Sequence, residues 1–361
     1  MPLTPNYIIQ LKDERILKVL DSYVVNREMP VNYVEGELDF CKSEFSYRTH
    51  EVKIIELKNC IVNYGGFAFE QEKLLLNKFS LVDEDHYKSM LTRTYFIKNI
   101  LIRRKRKLDP DRYLLAFDDW SNLHYHWFCD TIPRLFSMRE LLKDYILLLP
   151  DSPYVRNVGL PSLDFFGLNP AGIEYVQDFE HVKMKNLSIV TYTCLSGYIN
   201  DKVMADMQER ISSQLHGPIA TNKIYVTRDR THYRKVLNEP EIWDVVKNNG
   251  YDIVRFEDFT WKEQVAIASS AKSMVSMHGA GLVNAMFMNR GSAVLEFRRN
   301  KIYHNQCFWH LCAALKLDYY YLFGKPDNDD LVLEGGECCN LTIDPERLHH
   351  TLLQMDSRMN K

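Results

Sequence analysis

The residue types that could do chemistry in this chain gather behind short apolar runs in its C-terminal half. Arg228 and Arg230 follow the run Lys223–Thr227, and Glu257 and Asp258 follow Tyr251–Phe256. The turn His278-Gly279-Ala280-Gly281 follows Ser273–Met277, and Glu296 lies in Ala293–Phe297. Two guanidinium groups can make charge-assisted bonds to a diphosphate, and glycines let backbone N–H groups at a helix start approach the same anion. A carboxylate can accept bonds from ribose hydroxyls. Together these residues describe a site for a nucleoside diphosphate.

Each member also has a plainer reading. Arg228 and Arg230 flank Asp229 and could form a surface ion cluster, and Glu296 could pair with Arg298 or Arg299. His278 could be a buried, hydrogen-bonded histidine at a tight turn, and Glu263 belongs to a capping box with Thr260. A dinucleotide-binding reading fails, because Gly279-Ala280-Gly281 continues Leu282-Val283-Asn284 where that fingerprint wants a third glycine. Asp109-Pro110-Asp111 and Asp327-Asn328-Asp329 have the spacing of a metal-bridging acid pair but read as surface turns. No metal site and no cofactor are expected.

The elements that would position these residues alternate. In the C-terminal half, strands at Lys223–Thr227, Tyr251–Phe256, Ser273–Met277, Ala293–Phe297 and Tyr319–Phe323 are separated by helix signals. These are Asn238-Glu239-Pro240 as cap and first-turn proline, Gly250 as a stop, a capping box opening at Thr260, a helix at Leu282–Met288 and another at Tyr303–Leu315. Such alternation implies a parallel sheet covered on both faces, with ligands beyond the carboxyl ends of its strands. The N-terminal half offers strands at Val52–Val62, Arg112–Phe117 and Tyr145–Leu149 and a helix over Trp127–Leu142, while the opening 50 or so residues give mixed signals.

At 361 residues the chain exceeds one comfortable core. Two domains are expected, residues 1–216 and 217–361, divided near His216-Gly217-Pro218, with a return of the last helix, Pro345 to about Met355, onto the first domain left open. A 46% hydrophobic share supports sizeable cores, and a net charge of −3 supplies no global basic field, so nucleic acid is not an expected partner. The basic run Arg103–Lys107 reads as a solvated segment or as a contact for an anionic membrane surface or a lipid pyrophosphate. Eight cysteines without paired short spacings fit a reducing compartment, and there is neither a signal-peptide pattern nor an apolar run of membrane-spanning length. A cytoplasmic location is expected, with peripheral contact at the inner membrane face left open.

Several blocks resemble glycosyltransferase family 61: Asn122 through Asp130 to Arg134, Val226-Thr227-Arg228-Asp229-Arg230, Asn238-Glu239, Gln264 through His278 to Asn284, and Glu296-Phe297. The resemblance covers residues 112 to 300. It implies an α/β chain of GT-B type, two Rossmann-like domains with a cleft between them, a nucleotide-sugar donor, usually UDP-linked, and transfer with inversion. Arg228, Arg230, Glu257, His278, Gly279, Ala280, Gly281, Asn284 and Glu296 then become donor-binding candidates. The absence of an apolar run of membrane-spanning length and the cysteine pattern point to bacterial, or alternatively viral, polysaccharide-building members, such as those of capsule or lipopolysaccharide, with a glycan or lipid-linked glycan as acceptor. The alternative is a non-catalytic protein that binds a nucleotide sugar or a glycan.

An inverting transfer needs a base for the acceptor hydroxyl. His124, His126 and Asp130 are the candidates. His126 and Asp130 share a helix face at a spacing of four, and Asp130 also has Arg134 four residues on, so a surface ion pair competes with the base role. Asp130 is the first choice and His126 the second, with His124 as a cap or acceptor contact.

Overall fold

A computed structural model describes residues 15–70, 73–74, 104–109, 111–215, 220–232, 234–300, 306–328 and 339–359. The protein is mixed α/β with several sheets and divides into two compact units. One unit holds the described residues through Tyr23 together with Arg48–Ser196, and the other holds Val24–Tyr47 and the chain from Gly197 onward. The sequence suggests a single division at 216/217. Residues 216–219 lie outside the described part, and the helix Asp201–Gln214 belongs to the second unit.

The first unit is built on a mixed sheet. Gly172–Val176, Ile146–Pro150, Arg112–Leu115 and Glu180–Val190 lie side by side and parallel. The long strand Val52–Asn63 then continues the sheet antiparallel to Glu180–Val190. Leu and β-branched residues fill one face: Leu115 faces Ile189 on one side and Leu148 on the other, in a core with Ile55, Leu57 and Val182. Successive strands leave Arg112–Leu115 toward one edge, while Glu180–Val190 lies on its other side. The sheet order therefore reverses at Arg112–Leu115, and its carboxyl end opens a crevice where binding residues belong. The basic run contributes a strand, Arg104–Lys107, parallel to Glu180–Lys183. Its Arg106 is occupied by Glu174 and Glu180, and Arg103 lies outside the described residues.

The second unit follows the expected alternation. Asp252–Val254, Asn222–Val226, Ala271–Met277, Ala293–Arg299 and Asp318–Pro326 form a parallel sheet in that spatial order. A two-residue antiparallel strand, Leu341–Thr342, extends it beyond what the sequence signals. Helices Glu239–Asn248, Trp261–Ser269, Cys307–Leu315 and Pro345–Met359 cover it, and the capping box joins Thr260 to Glu263. The segment after Gly279 is a 3-10 helix, Ala280–Phe287, in place of the expected α-helix. Asn238 does not cap its helix; its side-chain amide instead pairs with the backbone N–H and C=O of Ile343. The early segment Val24–Tyr47 joins this unit because Val31 N–H donates to Tyr319 O at 2.8 Å, and the Asn32 amide brackets the Tyr321 backbone.

Candidate active site

In the first unit the chain leaves Arg112–Leu115 through Asp118, whose Oδ1 accepts the Trp120 N–H at 2.9 Å and so turns the backbone into a helix. That helix opens at His124, widens into a π turn over Trp127–Thr131 and returns to α over Ile132–Ser137. Pro133 lacks an N–H, and the Ile132 N–H reaches back five residues to Trp127 O. The helix thus starts before the expected Trp127 and ends before the expected Leu142.

The π turn sets Asp130 against His126. Asp130 Oδ2 lies 2.7 Å from His126 Nδ1 and accepts the Ser196 hydroxyl at 2.8 Å. The Asp130 side chain is only 3% exposed and that of His126 is 18% exposed. With the carboxylate accepting, the proton sits on Nδ1 and the lone pair on Nε2. The Trp120 ring packs 4.7 Å from the imidazole, centroid to centroid. The ion pair of Asp130 with Arg134 that competes with the base role in the sequence does not form. Arg134 is buried, gives Nε and Nη2 to Val190 O at 3.0 and 2.6 Å, and lies over the Tyr192 ring. His124 stands apart from this cluster, with Nδ1 3.0 Å from the Tyr154 hydroxyl and its ring against Phe128.

In the second unit, strand order reverses between Asn222–Val226 and Ala271–Met277, so the residues following both strands meet at the switch point. They are Thr227-Arg228 and His278-Gly279. A Cβ added to Gly279 would fall 2.2 Å from Arg228 Nη1, so the guanidinium lies directly over this glycine. Arg228 Nε donates to Arg234 O at 3.1 Å. The strand end is braced by Glu239, whose Oε1 accepts the hydroxyls of Tyr225 and Thr227.

The other candidates divide between support and surface. Glu296 is buried and receives His278 Nδ1–H on Oε1 and the Tyr319 hydroxyl on Oε2, so neither oxygen is presented to a ribose. Burial alone would raise its pKa, but the Arg298 charge and these two bonds hold the carboxyl below the ordinary range. Glu296 therefore fixes the His278 ring. Arg230 is exposed and paired with Asp258, and Glu257 is exposed on the turn Phe256–Asp258. Asn284 is buried and donates to Gln264 Oε1 at 3.2 Å. Ala280 opens the 3-10 helix, and a Cβ at Gly281 would meet Val226 Cγ1 at 3.2 Å. That glycine therefore serves strand-to-helix packing. Asp327 is tied to Asn340, and among the described residues no group of three or more His, Cys, Asp or Glu is placed to hold a metal ion.

Sequence reasoning gave no site role to Ser196, Asp118, Tyr319 or Glu239, the last of which it names only in a helix-start signal and within a block of the family resemblance. Asp118 was within reach, because it directly follows the expected strand Arg112–Phe117, where the same strand-end rule applies. Ser196 comes from the irregular stretch after Glu180–Val190 and carries no local signal.

Residues 124–295 match the family model described as Glycosyltransferase 61. The match supports glycosyltransferase family 61. A 93-residue stretch is 38% identical to the protein O-linked-mannose beta-1,4-N-acetylglucosaminyltransferase 2 of Bos taurus, covering 25% of this chain and 16% of the relative. The EGF domain-specific O-linked N-acetylglucosamine transferase of Rattus norvegicus is 29% identical over 109 residues, 29% of this chain and 20% of the relative. Its Drosophila melanogaster counterpart is 36% identical over 75 residues, 20% of this chain and 14% of the relative. The matches thus span a fifth or less of these relatives' length. These animal O-glycan transferases differ from the capsule and lipopolysaccharide proteins expected from the sequence. Family model and relatives together give a likeness to glycosyltransferases.

Proposed function

We propose that this chain is an inverting glycosyltransferase that takes a sugar from a UDP-linked donor without a metal ion. The observation that carries the reading is the Arg228 guanidinium lying over Gly279 at the switch point of a parallel sheet, within the stretch that matches the family. A cation over a side-chain-free turn at that point suits a diphosphate, and it can stabilise the charge that develops on the leaving group. Glu296 fixes the His278 ring beside it.

In the first unit, His126 takes the proton of the acceptor hydroxyl through Nε2. Asp130 holds the tautomer and balances the imidazolium that forms, and Ser196 fixes the carboxylate. Asp130 was the first choice from the sequence. Its burial and its occupied Oδ2 favour the orienting role, whereas the half-buried ring of His126 is the partner that can meet a substrate. UDP-N-acetylglucosamine is the first donor to test, since the relatives are named for that sugar. Protein-linked glycans and surface-glycan precursors form the two arms of the acceptor screen.

The test is a panel of nucleotide sugars scored by protection against thermal unfolding, followed by donor turnover with and without EDTA. A ligand at about 100 times its Kd adds about 2.7 kcal/mol. UDP-sugars are expected to protect and turnover to survive the chelator. Absence of protection by every nucleotide sugar would remove the donor site. Loss of turnover in EDTA with rescue by manganese would overturn metal independence.

A further inference from the structure

Asp118 stands just before the stretch that matches the family, and it is only 7% exposed. Both of its oxygens are used. Oδ1 accepts the Trp120 N–H at 2.9 Å and the Ser121 hydroxyl at 3.3 Å, while Oδ2 accepts the Tyr192 hydroxyl and lies 3.5 Å from Arg134 Nη1. Burial pushes this carboxyl up, opposed by the Arg134 charge and the Tyr192 bond.

Each of these contacts leads to a different member of the His126, Asp130 and Ser196 cluster. Trp120 carries the ring that packs on the His126 imidazole. Ser121 Oγ lies 2.8 Å from Thr131 Oγ1, next in sequence to Asp130 in the π turn. Tyr192 lies under the Arg134 guanidinium, whose bonds to Val190 O fix the end of the strand that leads toward Ser196. The backbone of Phe117 and Asp118 in turn rests on Gly66, where a Cβ would fall 2.4 Å from Phe117 O. One buried carboxylate therefore joins the supports of all three groups.

We propose that Asp118 is a positioning residue that fixes the His126 to Asp130 hydrogen bond by tying the Trp120 loop, the π turn and the Tyr192 strand end to one carboxylate. This rests on the reading of His126 as the base. Fixing the imidazole in pose and tautomer acts on turnover, while the donor site in the other unit keeps its own contacts. A part that holds a reacting group through its neighbour typically contributes about 10- to 100-fold.

The experiment uses the full chain labelled with nitrogen-15 histidine. The His126 Nδ1–H resonance is assigned by its disappearance in His126→Gln and then followed in Asp118→Asn and in Ser121→Ala. The second variant leaves the ion pair with Arg134 intact and decides the matter should the first not fold. The expected result is a displaced or broadened resonance in each folded variant, with kcat down about 10- to 100-fold in Asp118→Asn and KM for the donor little changed. An unmoved resonance in the folded variants overturns the proposal, whatever happens to kcat. A displaced resonance with unchanged kcat upholds the positioning and removes His126 from the base role instead.

Discussion

At the scale of single residues, the pairing of His126 with Asp130 makes a sharp statement about additivity. Asp130→Asn presents an amide N–H to Nδ1, which forces the imidazole proton onto Nε2 and removes the lone pair needed for the acceptor. His126→Ala removes the ring itself. Each change is expected to lower turnover by about 10²- to 10⁴-fold, and the double variant to be no slower than the worse single one, because the two groups act as a unit. Independent, multiplying losses in initial-rate measurements would show that they act separately. The glycines of the donor turn can be separated in the same way. In Gly279→Ala the new methyl meets Arg228 Nη1 at 2.2 Å, and the flexible guanidinium must leave. UDP affinity should fall as far as in Arg228→Ala, by about 1.5–3 kcal/mol, with the melting temperature little changed. Gly281→Ala presses on Val226, so its cost should appear in stability. Calorimetric titration with UDP that finds Gly279→Ala unimpaired would move the diphosphate elsewhere.

At the scale of elements, what could be read from the sequence depended on whether a signal was local. Four strands of the second sheet carry fully buried stretches, such as Ile224–Val226, Ala293–Leu295 and Tyr319–Leu322, while the edge strand Asp252–Val254 is only partly buried, and such stretches stand out between capping signals. The Thr260 capping box is local as well and is present as expected. Leu341–Thr342 is too short to show any periodicity, and the segment Val24–Tyr47 joins its unit through bonds to Tyr319 and Tyr321, nearly three hundred residues away. The π turn was hidden for a different reason. Pro133 argues for a break in the helix, but one reach of five residues absorbs it and sets Asp130 against His126 and not against Arg134, four residues on. The loop that supports this turn depends on Gly66, which has φ of +74° and carries the backbone of Phe117 and Asp118 against it. Gly66→Ala combines a left-handed backbone with a clash against main chain, so nothing nearby can yield cheaply. It should cost stability by about 1–3 kcal/mol or more. Turnover should be lost along with it, whereas Gly36→Ala, which also has positive φ but open space around its Cβ, should keep turnover. Equal turnover in both variants would show that the strand end tolerates displacement.

At the scale of the whole molecule, the segment Val24–Tyr47 brings a buried titratable pair into the second unit and couples its folding to pH. His310 is fully buried between Trp309 and Tyr198, and its Nε2 lies 2.9 Å from Glu44 Oε2. Glu44 also accepts the Tyr198 hydroxyl at 2.9 Å. Burial lowers the histidine pKa to about 4, against the bond to Glu44, which works in the opposite direction. In the unfolded chain the same ring takes up a proton near pH 6.5. Between those two values the unfolded state binds more protons than the folded one, so stability falls as pH falls from about 6.5 toward 4 and is fully present above 6.5. The contribution lost between pH 7 and pH 5 is about 2 kcal/mol. His310→Gln keeps an amide N–H for Glu44 and removes the titration. Urea midpoints at pH 7 and pH 5 should therefore show a smaller acid loss in the variant than in the parent, by about that amount, even though the variant is the less stable of the two at pH 7. An identical acid loss in both would mean that folding leaves the His310 titration where it is in the unfolded chain, with the Glu44 carboxylate offsetting its burial, and a larger acid loss in the variant would mean that the folded ring is protonated.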